Sequence, residues 1–150
     1  MSLNLMKNMD LKDLSVLDSD DLTMAIYMPL RSDNSEVNRI RLKNVLSEAR
    51  TLLSERLDDN QKLNAVMGQL EQISDHEVIQ KALYPGLAVL MSPAEPEEVN
   101  IFPLWTKPEA RVSLGREPFV TPLLRDSGHQ LVTLLCLADN GLRLFRGRLG

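Results

Sequence analysis

An apolar segment, a proline and a long amphipathic stretch follow one another early in the chain, and this order constrains the fold most. The segment Thr23–Met28 carries Thr, Ile and Tyr among apolar residues, and Pro29 ends it, which predicts a strand. After a polar loop, apolar residues recur every three or four positions, which predicts a helix with one buried face. The apolar positions are Leu42, Val45, Leu46, Ala49, Leu52, Leu53 and Leu57. A strand and a helix that each bury one face predict an α/β (α+β) domain.

A second amphipathic stretch follows after the polar residues 58–60. Its apolar positions are Leu63, Val66, Met67, Leu70 and Ile73. The short break between the two stretches predicts a pair of packed antiparallel helices. Ser74 and Glu77 have the spacing of a capping box, which predicts a third, short helix that runs through Leu83.

Beyond the turn signal at residues 84–86, the pattern changes from helices to strands. Three apolar runs predict strands at 87–91, 99–104 and 111–114, and the segment Phe119–Arg125 predicts a short helix. The helical stripes need an apolar surface to cover, and these strands supply it. The prediction is a two-helix layer packed on one face of a mainly antiparallel sheet.

A C-terminal β-hairpin is predicted because Asn140-Gly141 between two apolar runs is typical of a type I′ turn. Its apolar residues are Leu131, Leu134, Leu135, Leu137, Leu142, Leu144 and Phe145. Two strands alone cannot bury all of them, so we expect the hairpin to join the domain's own sheet or to form a homodimer contact. The predicted organisation is an N-terminal extension at 1–20, a main domain at 21–128, and a C-terminal hairpin at 129–150, for which the start of a truncated second domain is one interpretation.

Composition narrows the function classes. The formal net charge is −4, so the chain as a whole is not typical of a polyanion binder, although a basic face can exist locally. Cys136 is the single cysteine, which excludes an internal disulfide and a Cys-rich zinc site. His76 and His129 lack metal-helix spacing, and no Gly-rich phosphate loop occurs, so we expect no metal, no cofactor, no small-molecule substrate and no catalytic residue. With no leader and no membrane-length apolar run, we expect a cytoplasmic protein without membrane contact.

Basic residues recur on one face of the first predicted helix. Arg39, Lys43 and Arg50 are separated by four and seven positions, and Arg31 precedes the helix. Such a stripe suits the phosphates of ribosomal or transfer RNA. The alternative is a solvated face whose cations pair with acidic residues of the same helix. Those acidic residues are Glu36, Glu48 and Glu55.

Six segments resemble, in the same order, the N-terminal domain of class 1 peptide-chain release factors of archaea and eukaryotes. The likeness to the bacterial relatives of that family is stronger, because a strand, a proline, a loop and an "RIRLKN" run recur there. The segments here are Ala25-Ile26-Tyr27-Met28-Pro29, Val37-Asn38-Arg39-Ile40, Pro85-Gly86-Leu87-Ala88-Val89-Leu90, Val99-Asn100-Ile101-Phe102-Pro103, Phe119–Arg125, and the hairpin around Asp139-Asn140-Gly141. The family shows "VNRL", "NGLVVYCG", "VNIDFEP", a short helix and "DGNGALFG" at the matching places. The resemblance implies that residues 21–128 form a release-factor-like N-terminal domain.

The departures from the family imply that this chain has a role in translation but does not catalyse a reaction. A lysine-containing "NIKS" loop contacts the stop codon in eukaryotic members, and the residues here are Ser32, Asp33, Asn34 and Ser35, without lysine. The family's "YLCDNKF" segment corresponds to residues 113–119, which lack its Tyr and Cys, and no Gly-Gly-Gln occurs in the sequence. We therefore expect a non-catalytic ribosome- or RNA-associated domain for termination, rescue or quality control. The alternative is a protein-interaction or oligomerisation domain that has lost the RNA role.

Overall fold

A five-stranded sheet organises the chain in the computed structural model, which describes residues 2–5, 22–117, 119–127, 130–138 and 141–149. Its strands are β1 (Ser2–Leu5), β2 (Thr23–Pro29), β3 (Gly86–Met91), β4 (Glu98–Leu104) and β5 (Arg111–Gly115). The spatial order is β1-β4-β3-β2-β5, and every pair is antiparallel except β1 with β4. The four predicted strands are confirmed, each longer by one residue.

Four α-helices accompany this sheet in the described part of the chain. They are α1 (Ser35–Arg56), α2 (Asn60–Glu71), α3 (Glu77–Lys81) and α4 (Thr121–Ser127), and a 3₁₀ turn at Gln72–Asp75 joins α2 to α3. The long helices α1 and α2 bury their apolar stripes against one face of the sheet. The predicted α+β class and two-helix layer are therefore confirmed.

Both faces of the sheet are covered, and the strands β2 and β3 are therefore buried on both sides. On the helical face, Met24, Ile26 and Met28 of β2 share one core with α1, α2 and α3. On the opposite face, Tyr27 and its neighbours share a second core with Leu123 of α4. Every residue of β3 and all but the last residue of β2 are buried, so these strands read as continuous apolar runs rather than as alternating ones.

Tyr27 anchors this second core. Its hydroxyl donates a hydrogen bond to the carbonyl oxygen of Phe119, and the two rings meet edge to face with centroids 6.0 Å apart. The guanidinium carbon of Arg111 lies 3.7 Å from the centroid of the Phe119 ring, a cation–π contact. Burial raises the pKa of the Tyr27 hydroxyl, and the charge of Arg111 offsets part of that rise.

The start of α3 differs from the prediction. His76, not Ser74, is the N-cap, because its Nδ1 accepts a hydrogen bond of 3.1 Å from the backbone N–H of Val78. The hydroxyl of Ser74 instead donates to the carbonyl oxygen of Glu71 at 2.9 Å. The predicted capping box is therefore wrong. The helix also stops at Lys81, because Ala82 takes the left-handed conformation (φ 41°) that commonly ends helices.

In the described residues, β1 covers only part of the sheet edge beside β4. The strand β1, for which the sequence pattern carries no signal, pairs with Glu98–Ile101 and stops there. Pro103 lies beyond that stretch, where β3 alone pairs with β4 among the described residues. Proline has no N–H to give to a ladder, so this edge position is one that a strand proline tolerates.

The predicted C-terminal hairpin is present as β6 (Gln130–Ala138) and β7 (Gly141–Leu149). Gly141 pairs with Ala138 in the ladder, and Asp139 and Asn140 of the predicted turn lie outside the described residues. Among the described residues, β6 and β7 pair only with each other, as a sheet separate from the main one. The hairpin therefore does not extend the main sheet by strand pairing in the described residues. The side chain of Cys136, the residue His129 and most of the predicted extension at 1–20 lie outside what the structure describes.

Candidate nucleic-acid interface

Three of the four predicted basic residues line one groove of about 400 Å³ on the helical side of the domain. The groove lies between α1 and the segment formed by α2 and the following 3₁₀ turn. Its lining residues are Arg39, Leu42, Lys43, Leu46, Ser47, Arg50, Met67, Glu71 and Ser74. The structure thus brings Arg39, Lys43 and Arg50 together, as their helical spacing predicts.

The α1 rim of the groove is basic along its whole length. Arg39, Lys43, Ser47 and Arg50 follow one another at helical intervals of four, four and three residues, a span of about 16 Å along the axis. All four residues are exposed. The rim therefore presents a row of three cations and one hydroxyl to solvent.

Among the described residues, one of these three cations lies near an acidic residue of the same helix. Arg39 approaches Glu36 at 4.0 Å, the outer limit of an ion pair. Neither Lys43 nor Arg50 forms an ion pair within the described residues, and the same holds for Glu48 and Glu55. Exposed pairs of this kind contribute well under about 1 kcal/mol, so the cations stay available to a ligand.

The floor of the groove is apolar but nearly closed. Leu42, Leu46 and Met67 form it, and they are 1%, 7% and 3% exposed. Their side chains belong to the main core, which holds them in place. The groove is therefore a shallow channel in which charge, not apolar area, is the main feature offered to a partner.

The far rim carries acceptors instead of cations. Glu71 ends α2 and is exposed, and no cation among the described residues forms an ion pair with its carboxylate. The hydroxyl proton of Ser74 is engaged by the backbone carbonyl of Glu71, which leaves the Ser74 oxygen free to accept. The two sides of the groove thus differ in chemistry.

Arg31, the fourth predicted RNA-binding residue, does not line the groove. Its guanidinium makes two hydrogen bonds to the carboxylate of Asp33, Nε to Oδ1 at 3.0 Å and Nη2 to Oδ2 at 2.9 Å. The hydrogen bond from Arg31 is the main cause that lowers the pKa of Asp33 below its ordinary value. Both side chains are about half to two-thirds exposed, so this pair marks a solvated turn.

The other residues of the loop at 32–35 also have local structural roles. Asn34 caps α1, since its side-chain oxygen accepts from the N–H of Val37 at 3.1 Å. Ser35 is the first residue of α1, and Ser32 lies in the preceding turn and is exposed. The loop at 32–35 therefore begins a helix and presents Ser32 to solvent.

Asn38 holds this loop in place, although the sequence pattern did not single it out for this role. Its side chain is fully buried. The Oδ1 atom accepts from the N–H of Arg31 at 2.7 Å, and Nδ2 donates to the carbonyl oxygens of Arg31 at 2.8 Å and Ile79 at 3.5 Å. A signal was present, because Asn38 precedes Leu42 by four positions and therefore lies on the apolar stripe of α1. A polar residue on a buried stripe needs partners, and these backbone groups are the partners.

Comparison with known proteins adds no assignment. No protein-family model matches the sequence, and no curated protein matches it significantly. Within the ranges that the structure describes, none of the helices is both long and apolar enough to span a membrane.

Proposed function

We propose that this chain is a non-catalytic RNA-associated domain that acts in the cytoplasm with the ribosome or tRNA, in translation termination, rescue or quality control. The observation that carries the proposal is the row of Arg39, Lys43 and Arg50 along one rim of a single groove. Exposed cations spaced along a helix suit the phosphates of one strand, and phosphate contacts dominate the affinity of proteins for nucleic acids. The resemblance to release-factor relatives supports translation as the setting.

The shallow form of the groove favours RNA over a protein partner. Protein interfaces are dominated by anchor side chains that fill well-packed pockets. The floor residues Leu42, Leu46 and Met67 are too enclosed to receive such an anchor. A phosphate backbone needs no pocket, because exposed Lys and Arg side chains reach it directly.

The same geometry separates this proposal from codon reading. Asp33 and Asn34 are engaged with Arg31 and with the start of α1, and this loop has no lysine. We place the RNA contact in the groove instead. Stop-codon recognition by the family's known contacts forms no part of the proposal.

Charge reversal in the groove tests the function. The double variant Arg39→Glu/Lys43→Glu is compared with wild type by co-sedimentation with bacterial ribosomes in sucrose gradients at low and high salt. We expect weaker association and a flatter salt dependence. Each lost phosphate contact reduces the magnitude of the slope of log K against log salt concentration by about 0.7 to 0.9. The melting temperature should hardly move, because both side chains are exposed.

A matched control separates the groove from net charge. The double variant Lys62→Glu/Lys107→Glu changes the charge of the chain by the same amount at exposed sites outside the groove. It should bind ribosomes almost as the wild type does. Equal losses in the two double variants would mean that only overall charge matters, and the groove would not be the RNA site.

Self-association through the hairpin is the second candidate function. It is favoured by the separation of β6 and β7 from the main sheet in the described residues, together with the many apolar residues of that segment. Deleting residues 129–150 should convert a homodimer into a monomer in light scattering. A full-length chain that is monomeric would contradict this candidate. Unchanged ribosome binding in the groove variants, together with loss of the dimer on deletion of residues 129–150, would favour it over the RNA role.

A further inference from the structure

We infer that the groove binds a single strand of RNA lengthwise and that Glu71 selects bases that carry an exocyclic amino group. The phosphates would lie along α1 and the bases would turn toward Glu71 and Ser74. This inference rests on the proposed RNA-binding function and adds to it the form of the RNA and a specificity-determining residue.

The two rims differ in the sign of their charge, and this difference orients the strand. The α1 rim presents Arg39, Lys43 and Arg50, whereas the far rim presents the carboxylate of Glu71. No ion pair among the described residues crosses the groove from these cations to Glu71, so a ligand can enter between the rims. Phosphates are attracted to one side and repelled from the other.

A duplex fits this arrangement poorly. An RNA double helix presents a phosphate backbone on both sides of each groove and turns its base edges inward. A duplex lying across the site would bring phosphates close to Glu71, where like charges repel. A single strand has phosphates on one side and unpaired base edges on the other, which matches the two rims.

The hydrogen-bonding chemistry of the far rim then favours certain bases. A carboxylate only accepts hydrogen bonds. The Ser74 hydroxyl donates its proton to the backbone carbonyl oxygen of Glu71 at 2.9 Å, so toward a ligand it also acts as an acceptor. Cytosine offers an amino donor at the position where uracil offers a carbonyl acceptor, and Glu is a known partner of that amino group. The rim should therefore accept cytosine and disfavour uracil.

Fluorescence anisotropy with the full chain tests the inference. Decamers of cytidine and of uridine and a blunt mixed-sequence duplex of equal length are labelled and titrated at pH 7.5 and low salt. One charge-assisted hydrogen bond at a solvated site should favour oligocytidine by roughly fivefold. The duplex should bind more weakly than either single strand.

Two variants assign the preference to its cause. Glu71→Gln removes the charge and adds a donor, so both decamers should bind more tightly and the preference should fall to near onefold. Glu55→Gln removes an exposed carboxylate of α1 that does not line the groove, and it should keep the preference. Both variants change the net charge equally.

The outcomes separate the inference from the function on which it rests. Three results would each overturn the inference: a preference for oligocytidine that survives Glu71→Gln, no preference between the decamers, or duplex binding as tight as that of the single strands. In each case, weaker binding in Arg39→Glu/Lys43→Glu would still support the RNA-binding function. Failure of wild type to bind any of the three RNAs, together with failure to sediment with ribosomes, would overturn both.

Discussion

Replacing Asn38 with alanine tests how the loop before α1 is held. The buried amide of Asn38 pairs with both backbone groups of Arg31, at 2.7 and 2.8 Å, and reaches the carbonyl oxygen of Ile79 at 3.5 Å. Alanine makes none of these bonds. Three backbone groups then need water or rearrangement to be satisfied, and the loop loses its connection to α1.

The expected loss can be worked out from these contacts. The two short hydrogen bonds contribute about 1 kcal/mol each, and the longest contributes little. The void left in a packed site adds about 1 kcal/mol, while the higher helix propensity of alanine returns up to about 0.7 kcal/mol. We expect the free energy of unfolding to fall by about 2–3 kcal/mol. For a chain of 150 residues, the melting temperature should drop by roughly 4–12 °C.

Urea unfolding of wild type, Asn38→Ala and Asn44→Ala measures this effect. Asn44 is exposed on the same helix, so its replacement reports the propensity gain alone and should stabilise the chain slightly. Hydrogen exchange adds a local readout, because the amide of Arg31 should lose protection in Asn38→Ala only. If Asn38→Ala were as stable as Asn44→Ala to within about 0.5 kcal/mol, the role assigned to Asn38 would be wrong.

Two further perturbations test the sheet. Gly86→Ala would place a methyl group 2.3 Å from Cδ of Pro108 and should destabilise the chain by about 1–3 kcal/mol, whereas Gly68→Ala in α2, where nothing lies within 4 Å, should stabilise it by about 0.5–1 kcal/mol. Urea unfolding compares the two, and equal stabilities would contradict the close contact. Tyr27→Phe removes the hydrogen bond to Phe119 and should cost about 1–2 kcal/mol at neutral pH. Burial raises the pKa of the Tyr27 hydroxyl, so from about pH 10 upward the unfolded chain releases the hydroxyl proton while the folded chain keeps it. The free energy of unfolding of the wild type should therefore fall as pH rises above that value. Unfolding measured across that pH range should show a shallower fall in Tyr27→Phe, and an unchanged slope would count against the buried hydroxyl as its source.

Much of the fold could be predicted because the elements obey their periodicities. Apolar residues at intervals of three and four define α1 and α2, and the apolar runs that become β2 and β3 are central strands buried on both faces. The helical stripe also placed Arg39, Lys43 and Arg50 on a common side. These predictions depend on the local spacing of apolar and charged residues, which can be read directly from the sequence.

The parts that could not be predicted depend on contacts between distant segments. The four-residue strand β1 is too short to show a period, and its assignment comes only from pairing with β4. His76 as a helix cap lies outside the usual set of Ser, Thr, Asp and Asn. The far rim at Glu71 faces α1 only after the helices have packed, so no spacing within α1 could reveal it.

The strand order has a consequence for how the chain folds. The central strand β2 is made early, but the first residue to pair with its end is Gly86, which is 57 positions after Pro29 (86 − 29). The helices α1 and α2 are separated by three residues and can meet as soon as they are synthesised. We therefore expect a nascent chain to form its helical layer first and to hold β2 unpaired until β3 emerges, a slow closure of a long loop. A fragment that ends before Gly86 should show helical circular dichroism and an exposed, aggregation-prone β2.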